Sequence, residues 1–170
     1  MPSFVALLRA VNVGGTSKLA MRDLEALCNA AGFAAVRTYI ASGNVVFSTA
    51  LDEAAIKASL EARLKAKTGV AIGVLVRSTT EMGEVLEANP FKNAPPNRVV
   101  AIFREEPPLL AALHQIIGQE PDEEVRLGRW EIYVRYGDGM ARSTLRIPAV
   151  KPGTARNMNT VARLVSMASA

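Results

Sequence analysis

The chain has 170 residues, 49% of them hydrophobic and 21% charged, which fits a globular protein and excludes disordered and collagen-like classes. Its 20 basic residues against 16 acidic ones give a net charge of +4 and a pI near 9.5, which admits an anionic partner without demanding one. A single cysteine excludes an internal disulfide, a single histidine excludes most zinc sites, and no apolar stretch approaches the roughly 20 residues that span a bilayer.

Met1-Pro2-Ser3-Phe4 lacks a basic n-region and an apolar h-region, so the expected location is the cytoplasm. Phe4–Leu8 is continuously apolar, the mark of a strand buried on both faces. After the loop Asn12–Ser17, Leu24, Leu27, Cys28 and Ala31 recur at helical spacing up to Gly32. Val36–Ile40 and Val45–Ser48 read as strands joined by the turn residues Ser42-Gly43-Asn44. Residues 52–67 carry Ile56, Leu60 and Leu64 on one helical stripe, and Val70–Val76 reads as a fourth strand. The order β-α-β-β-α-β predicts an α+β fold with a ferredoxin-like N-terminal half over residues 1–88.

A short helix, Thr80–Glu87, leads into the Pro-rich stretch 89–97, the natural boundary. The second half, 98–170, restarts with strand Val99–Phe103. A helix is predicted from Pro107-Pro108 through Ile117, stopped by Gly118. Strands follow near Glu124–Leu127 and Glu131–Tyr136, and a last helix starts at about Asn157. Residues 139–151 read equally as helix or strand. The second half is thus β-α-β-β-α, related to the first in order but lacking its last strand. A ferredoxin-like sheet carries helices on one face only, so the two-sided strand Phe4–Leu8 needs a cover. Either the second half or a partner subunit could supply it, and the second half needs fewer assumptions. The expectation is one cooperative unit with the halves packed together.

Charge is unevenly spread. Fourteen of the 20 basic residues are arginines, whose planar fork suits phosphate or carboxylate. Segment 126–163 holds eight basic residues against Glu131 and Asp138, whereas 105–124 is acidic through Glu105, Glu106, Glu120, Asp122, Glu123 and Glu124.

Two segments are candidate ligand sites. The loop Asn12-Val13-Gly14-Gly15-Thr16-Ser17-Lys18 joins a strand to a helix, where glycine N–H groups can turn toward an anion; it matches neither the P-loop nor the dinucleotide fingerprint. The run Gly153-Thr154-Ala155-Arg156-Asn157-Met158-Asn159-Thr160 places an arginine and many neutral hydrogen-bonding groups at the opening of the last helix. Asn12, Gly14, Gly15, Lys18, Asn44, Arg156, Asn157, Asn159 and Thr160 are therefore the expected ligand-binding residues. Cys28 lies on an apolar helical stripe and reads as inert core. No spacing pairs Asp23, Glu131 or Asp138 for acid–base work, so an enzymatic activity stays open. No metal or cofactor is expected.

Four ordered motifs carry a resemblance: Ala6–Gly15, Tyr39–Phe47 with its Ala41-Ser42-Gly43-Asn44 core, Asn89-Pro90-Phe91, and the Thr154–Thr160 run. Together they resemble the bacterial domain-of-unknown-function family 1697, over nearly the whole chain. The chain departs from the family pattern at Ala10 (typically Gly), Ala155 (typically Thr) and Met158 (typically Trp). The resemblance implies an α+β fold with ferredoxin-like parts and brings no activity or substrate. The residues favour a module for a small anion, a nucleotide or phosphorylated metabolite. The alternatives are a protein-interaction domain without small ligand and a small metal-independent enzyme. Nucleic acid ranks lower, because aromatics make up only 5% and no strand carries the stacking signature of an RNA-recognition sheet.

Overall fold

The computed structural model describes residues 1–11, 18–148 and 153–170. The candidates Asn12, Gly14 and Gly15, and residues 149–151 of the ambiguous stretch, lie outside the described residues. The chain divides into two compact units, Met1–Gly83 with Arg163–Ala170, and Glu84–Ala162. Residues 89–97 thus belong to the second unit.

In the first unit, β1 (Ser3–Leu8), α1 (Met21–Ala30), β2 (Ala34–Thr38), β3 (Asn44–Ser48), α2 (Glu53–Thr68) and β4 (Val74–Ser78) follow in order. The sheet runs β2-β3-β1-β4 with every neighbour antiparallel. Alternation along β1 sends Phe4, Ala6 and Leu8 into one cluster with Leu24 and Cys28 of α1 and Ile56, Leu60 and Leu64 of α2. Each large apolar side chain so buried contributes about 1.5–3 kcal/mol. Val5 and Leu7, on the opposite face of β1, are also buried, as the unbroken apolar run predicts. Helix α2 is bounded by chemistry at both ends. The Asp52 side chain accepts from Ala55 N–H (2.8 Å), and Gly69 (φ 76°) donates its N–H to Lys65 O (2.8 Å).

β4 starts at Val74 rather than Val70. Thr68 Oγ1 accepts from Val70 N–H (3.2 Å), which holds the chain in a turn after the helix. Lys57 and Glu61, one turn apart on α2, then grip both backbone groups of Val74: Lys57 Nζ donates to its carbonyl (2.8 Å) and Glu61 Oε2 accepts from its N–H (3.0 Å). Strand pairing begins at that clasp. Helix α3 (Thr79–Glu87) opens with a reciprocal cap: Ser78 N–H donates to Glu81 Oε1 (2.8 Å) and Glu81 N–H to Ser78 Oγ (3.1 Å).

The second unit holds β5 (Val99–Phe103), β6 (Glu124–Leu127), β7 (Glu131–Arg135) and β8 (Thr154–Asn157), and its sheet runs β6-β7-β5-β8, again antiparallel. The same permutation of strands occurs in both units. Val100, Ile102, Ile132 and Val134 form one apolar cluster with Ala112 and Ile147.

Two expectations are corrected here. The α-helix expected across 107–117 is a short 3-10 helix, Leu110–Gln115. Ile117 exchanges backbone hydrogen bonds with Arg146 (2.9 and 2.8 Å), which draws the chain into extended form and overrides a helical pattern of leucines. A fourth strand is also present: Thr154–Asn157 pairs with β5, and α4 (Met158–Ala168) begins only after it. The described part of 139–151 is neither regular helix nor strand, but a 3-10 turn at Met140–Arg142 and the isolated bridge at Arg146. Among the described residues, no helix is long and apolar enough to cross a membrane.

Candidate functional site

Lys18 and Asn44 lie in the first unit; Arg156, Asn157, Asn159 and Thr160 lie in the second. Lys18 is exposed and lines a cavity of about 180 Å³ with Asp23 and Lys67. Asn44 is buried, and its Nδ2 donates to Tyr39 O (2.9 Å) and Ser42 Oγ (3.0 Å), closing its own turn. Arg156 stands in β8, not in the opening turn of the helix. It is 7% exposed, and its Nη1 donates to Thr154 Oγ1 (2.8 Å) and Ala155 O (2.9 Å). Burial pushes its guanidinium down to about 10. Asn157 Oδ1 accepts from Thr160 N–H (2.9 Å), so these two residues meet as a helix cap. Thr160 is buried and Asn159 exposed. Burial, aided by Glu25, pushes the Cys28 thiol up to about 12, which leaves it an inert core residue.

A different constellation assembles within the second unit. Residues 124–127 alternate strictly, so Val125 and Leu127 face the apolar cluster while Glu124 and Arg126 share the opposite face of β6. Antiparallel register sets Glu124 directly opposite Arg135 of β7. Three charged side chains therefore share one patch of sheet. Glu124 bridges the two arginines: its Oε2 accepts from Arg126 Nη2 (3.1 Å), and its Oε1 forms an ion pair with Arg135 Nη2 (3.0 Å), which also donates to Asp122 O (3.4 Å).

Phe91 covers this patch. Asn89 Oδ1 accepts from Phe91 N–H (2.9 Å), an Asx turn with the fixed φ of Pro90 at its centre. The turn sets the buried Phe91 ring beneath both guanidiniums, with Arg126 Cζ 6.0 Å and Arg135 Cζ 5.7 Å from its centroid. With Asn93 these residues line an open cavity of about 310 Å³. Two guanidinium forks face one carboxylate, so the cleft carries an excess of positive charge. It can hold an oxyanion between the forks, with the Asn93 amide near its edge.

This cleft escaped the sequence reading, although its parts were visible. Arg126 and Arg135 counted only toward a basic segment, and Asn89-Pro90-Phe91 read as a boundary. The 124–127 alternation and the two-strand spacing to Arg135 were the signal that could have joined them.

Residues 1–133 match the model of a family described as a protein of unknown function, DUF1697. The chain belongs to that family. The matched span of this DUF1697 protein includes Phe91, Glu124 and Arg126, while Arg135 and the Thr154–Thr160 run lie beyond it. No curated protein matches the chain. Among solved structures it is similar to a conserved bacterial protein from Streptococcus pneumoniae, at 22% identity, with 98% of each chain covered and a TM-score of 0.80, a likeness of fold. Among the described residues of the DUF1697 chain, no three His, Cys, Asp or Glu side chains gather as a metal-binding group.

Proposed function

We propose that this DUF1697 protein binds a small phosphate-bearing anion, a nucleotide or phosphorylated metabolite, in the Phe91–Arg126–Arg135 cleft of its second unit. We read both sheets as ferredoxin-like, since each inserts one strand between the two that flank a crossover. The observation that carries the functional reading is the pair of arginine forks held over one aromatic ring and matched by a single carboxylate. The cavity, at about 310 Å³, falls at the small end of ligand pockets, which suits a compact phosphorylated molecule. A protein-interaction role is the second reading. It draws on Leu109 and Leu110, 74% and 73% exposed beside the acidic pair Glu105 and Glu106.

The test is a thermal-shift titration of the full chain with pyrophosphate, AMP and glucose 6-phosphate at low salt. A ligand at 100 times its dissociation constant adds about 2.7 kcal/mol, several degrees for a chain of this size. The shift should vanish in the Arg126→Ala/Arg135→Ala double variant. No shift from any probe, or a shift that survives both substitutions, would remove the cleft as the site.

A further inference from the structure

The cleft already contains an anion, and it is part of the chain. Glu124 makes one contact to each arginine through separate carboxylate oxygens, 3.1 Å to Arg126 and 3.0 Å to Arg135. No other carboxylate lines the cavity among the described residues. The bridge is fixed by register: Glu124 faces Arg135 across the strand pair, and Arg126 follows it by two positions on the same face. All three side chains keep solvent access, at 38%, 61% and 33% exposure for Glu124, Arg126 and Arg135, so water and solute can reach the bridge. Ion pairs this exposed hold weakly and exchange readily.

We propose that Glu124 is a built-in competitor of the ligand, and that it sets the chemical class the cleft accepts. This rests on the cleft being the anion site. A free monocarboxylate offers the two forks nothing that Glu124 does not already offer. It must also displace a tethered group whose effective concentration is high. Free carboxylates are thereby excluded. A phosphate monoester brings up to two charges and three acceptor oxygens, enough to engage both forks at once. The class selected is the phosphorylated dianion. Because the second phosphate ionisation falls near pH 6, affinity should rise from mildly acid to mildly alkaline pH. The Glu124 carboxylate acts here by position, and it swings toward solvent when the ligand enters.

Charge removal at Glu124 separates this idea from the cleft reading. Inorganic phosphate and acetate are titrated calorimetrically into the full chain at low ionic strength, as wild type, Glu124→Gln, Glu124→Ala and Arg135→Ala. Circular dichroism melts of each variant confirm folding. Phosphate should bind wild type, bind both Glu124 variants about tenfold tighter, the scale of one charge-assisted hydrogen bond, and be lost in Arg135→Ala. Acetate should bind only the Glu124 variants. Phosphate binding to wild type that disappears in Arg135→Ala but is no tighter in either Glu124 variant would overturn the competitor role and leave the cleft standing. Absence of phosphate binding in wild type and in both Glu124 variants would overturn the two together.

Discussion

Gly43 packs directly against Leu8. A Cβ built on Gly43 would sit 2.9 Å from Leu8 Cβ and 2.7 Å from Val11 Cγ2, and the residue holds φ at +88°. The Leu8 N–H meanwhile donates to Gly43 O (2.9 Å). The turn of the Ala41-Ser42-Gly43-Asn44 motif is therefore pressed onto the end of β1 with no room for a side chain. Gly43→Ala combines left-handed strain with overpacking against a buried leucine, and should cost about 2–4 kcal/mol. Urea denaturation measures it directly. A loss under 1 kcal/mol, on the scale of an ordinary surface change, would mean the turn can move away from β1.

Much of the first unit was legible because its signals are local and agree with one another. The continuous run Phe4–Leu8, the stripe Ile56-Leu60-Leu64 and the stops at Gly32 and Gly69 all point to the elements that form. The second unit was harder to read because its decisive contacts are distant in sequence. Ile117 leaves a helical pattern to pair with Arg146, and Thr154–Asn157 becomes a strand only because β5 offers an open edge. Neither residue pair announces itself in a window of ten or fifteen residues.

The surroundings of Arg156 were hidden for a related reason. No acidic residue follows Asp138 in the chain, so the sequence shows no local partner for Arg156. In the fold it is buried in β8, where its Nη1 donates to Thr154 Oγ1 and Ala155 O. Asn157, grouped with it as a ligand residue, caps α4 through Thr160. The arginines that stand in an open cleft, Arg126 and Arg135, are nine positions apart and meet only through strand register.

Ala10 holds φ at +50°, in the left-handed region, at the position where the family resemblance leads one to expect glycine. That conformation costs an L-residue roughly 1–2 kcal/mol, while the extra freedom of glycine in the unfolded chain takes back about 0.4–1 kcal/mol. Ala10 is exposed, so no packing is lost on removing its methyl group. Ala10→Gly should therefore raise stability by up to about 1.6 kcal/mol, and Ala10→Val should lower it. Chemical denaturation of the pair decides the point: a destabilised glycine variant would show that the positive φ is not strained.

Glu81 links stability to pH. Burial pushes its carboxyl up, but a hydrogen bond shared with the Glu53 carboxyl, which donates only while it keeps its own proton, hydrogen bonds from Ser78 N–H and the Ser78 hydroxyl, and the charge of Arg77 outweigh that and hold it below its ordinary 4.5. A carboxylate whose folded value is depressed stabilises the fold above its unfolded value, and loses that contribution as pH falls through the folded one. Wild type should therefore lose stability faster than Glu81→Gln between roughly pH 5.5 and pH 3, while the glutamine keeps an oxygen for the Ser78 N–H and preserves the α3 cap. Urea midpoints for both proteins across that range give the comparison. Parallel pH profiles would mean that Glu81 binds its proton equally in the folded and unfolded chain, and that the cap gains nothing from the charge.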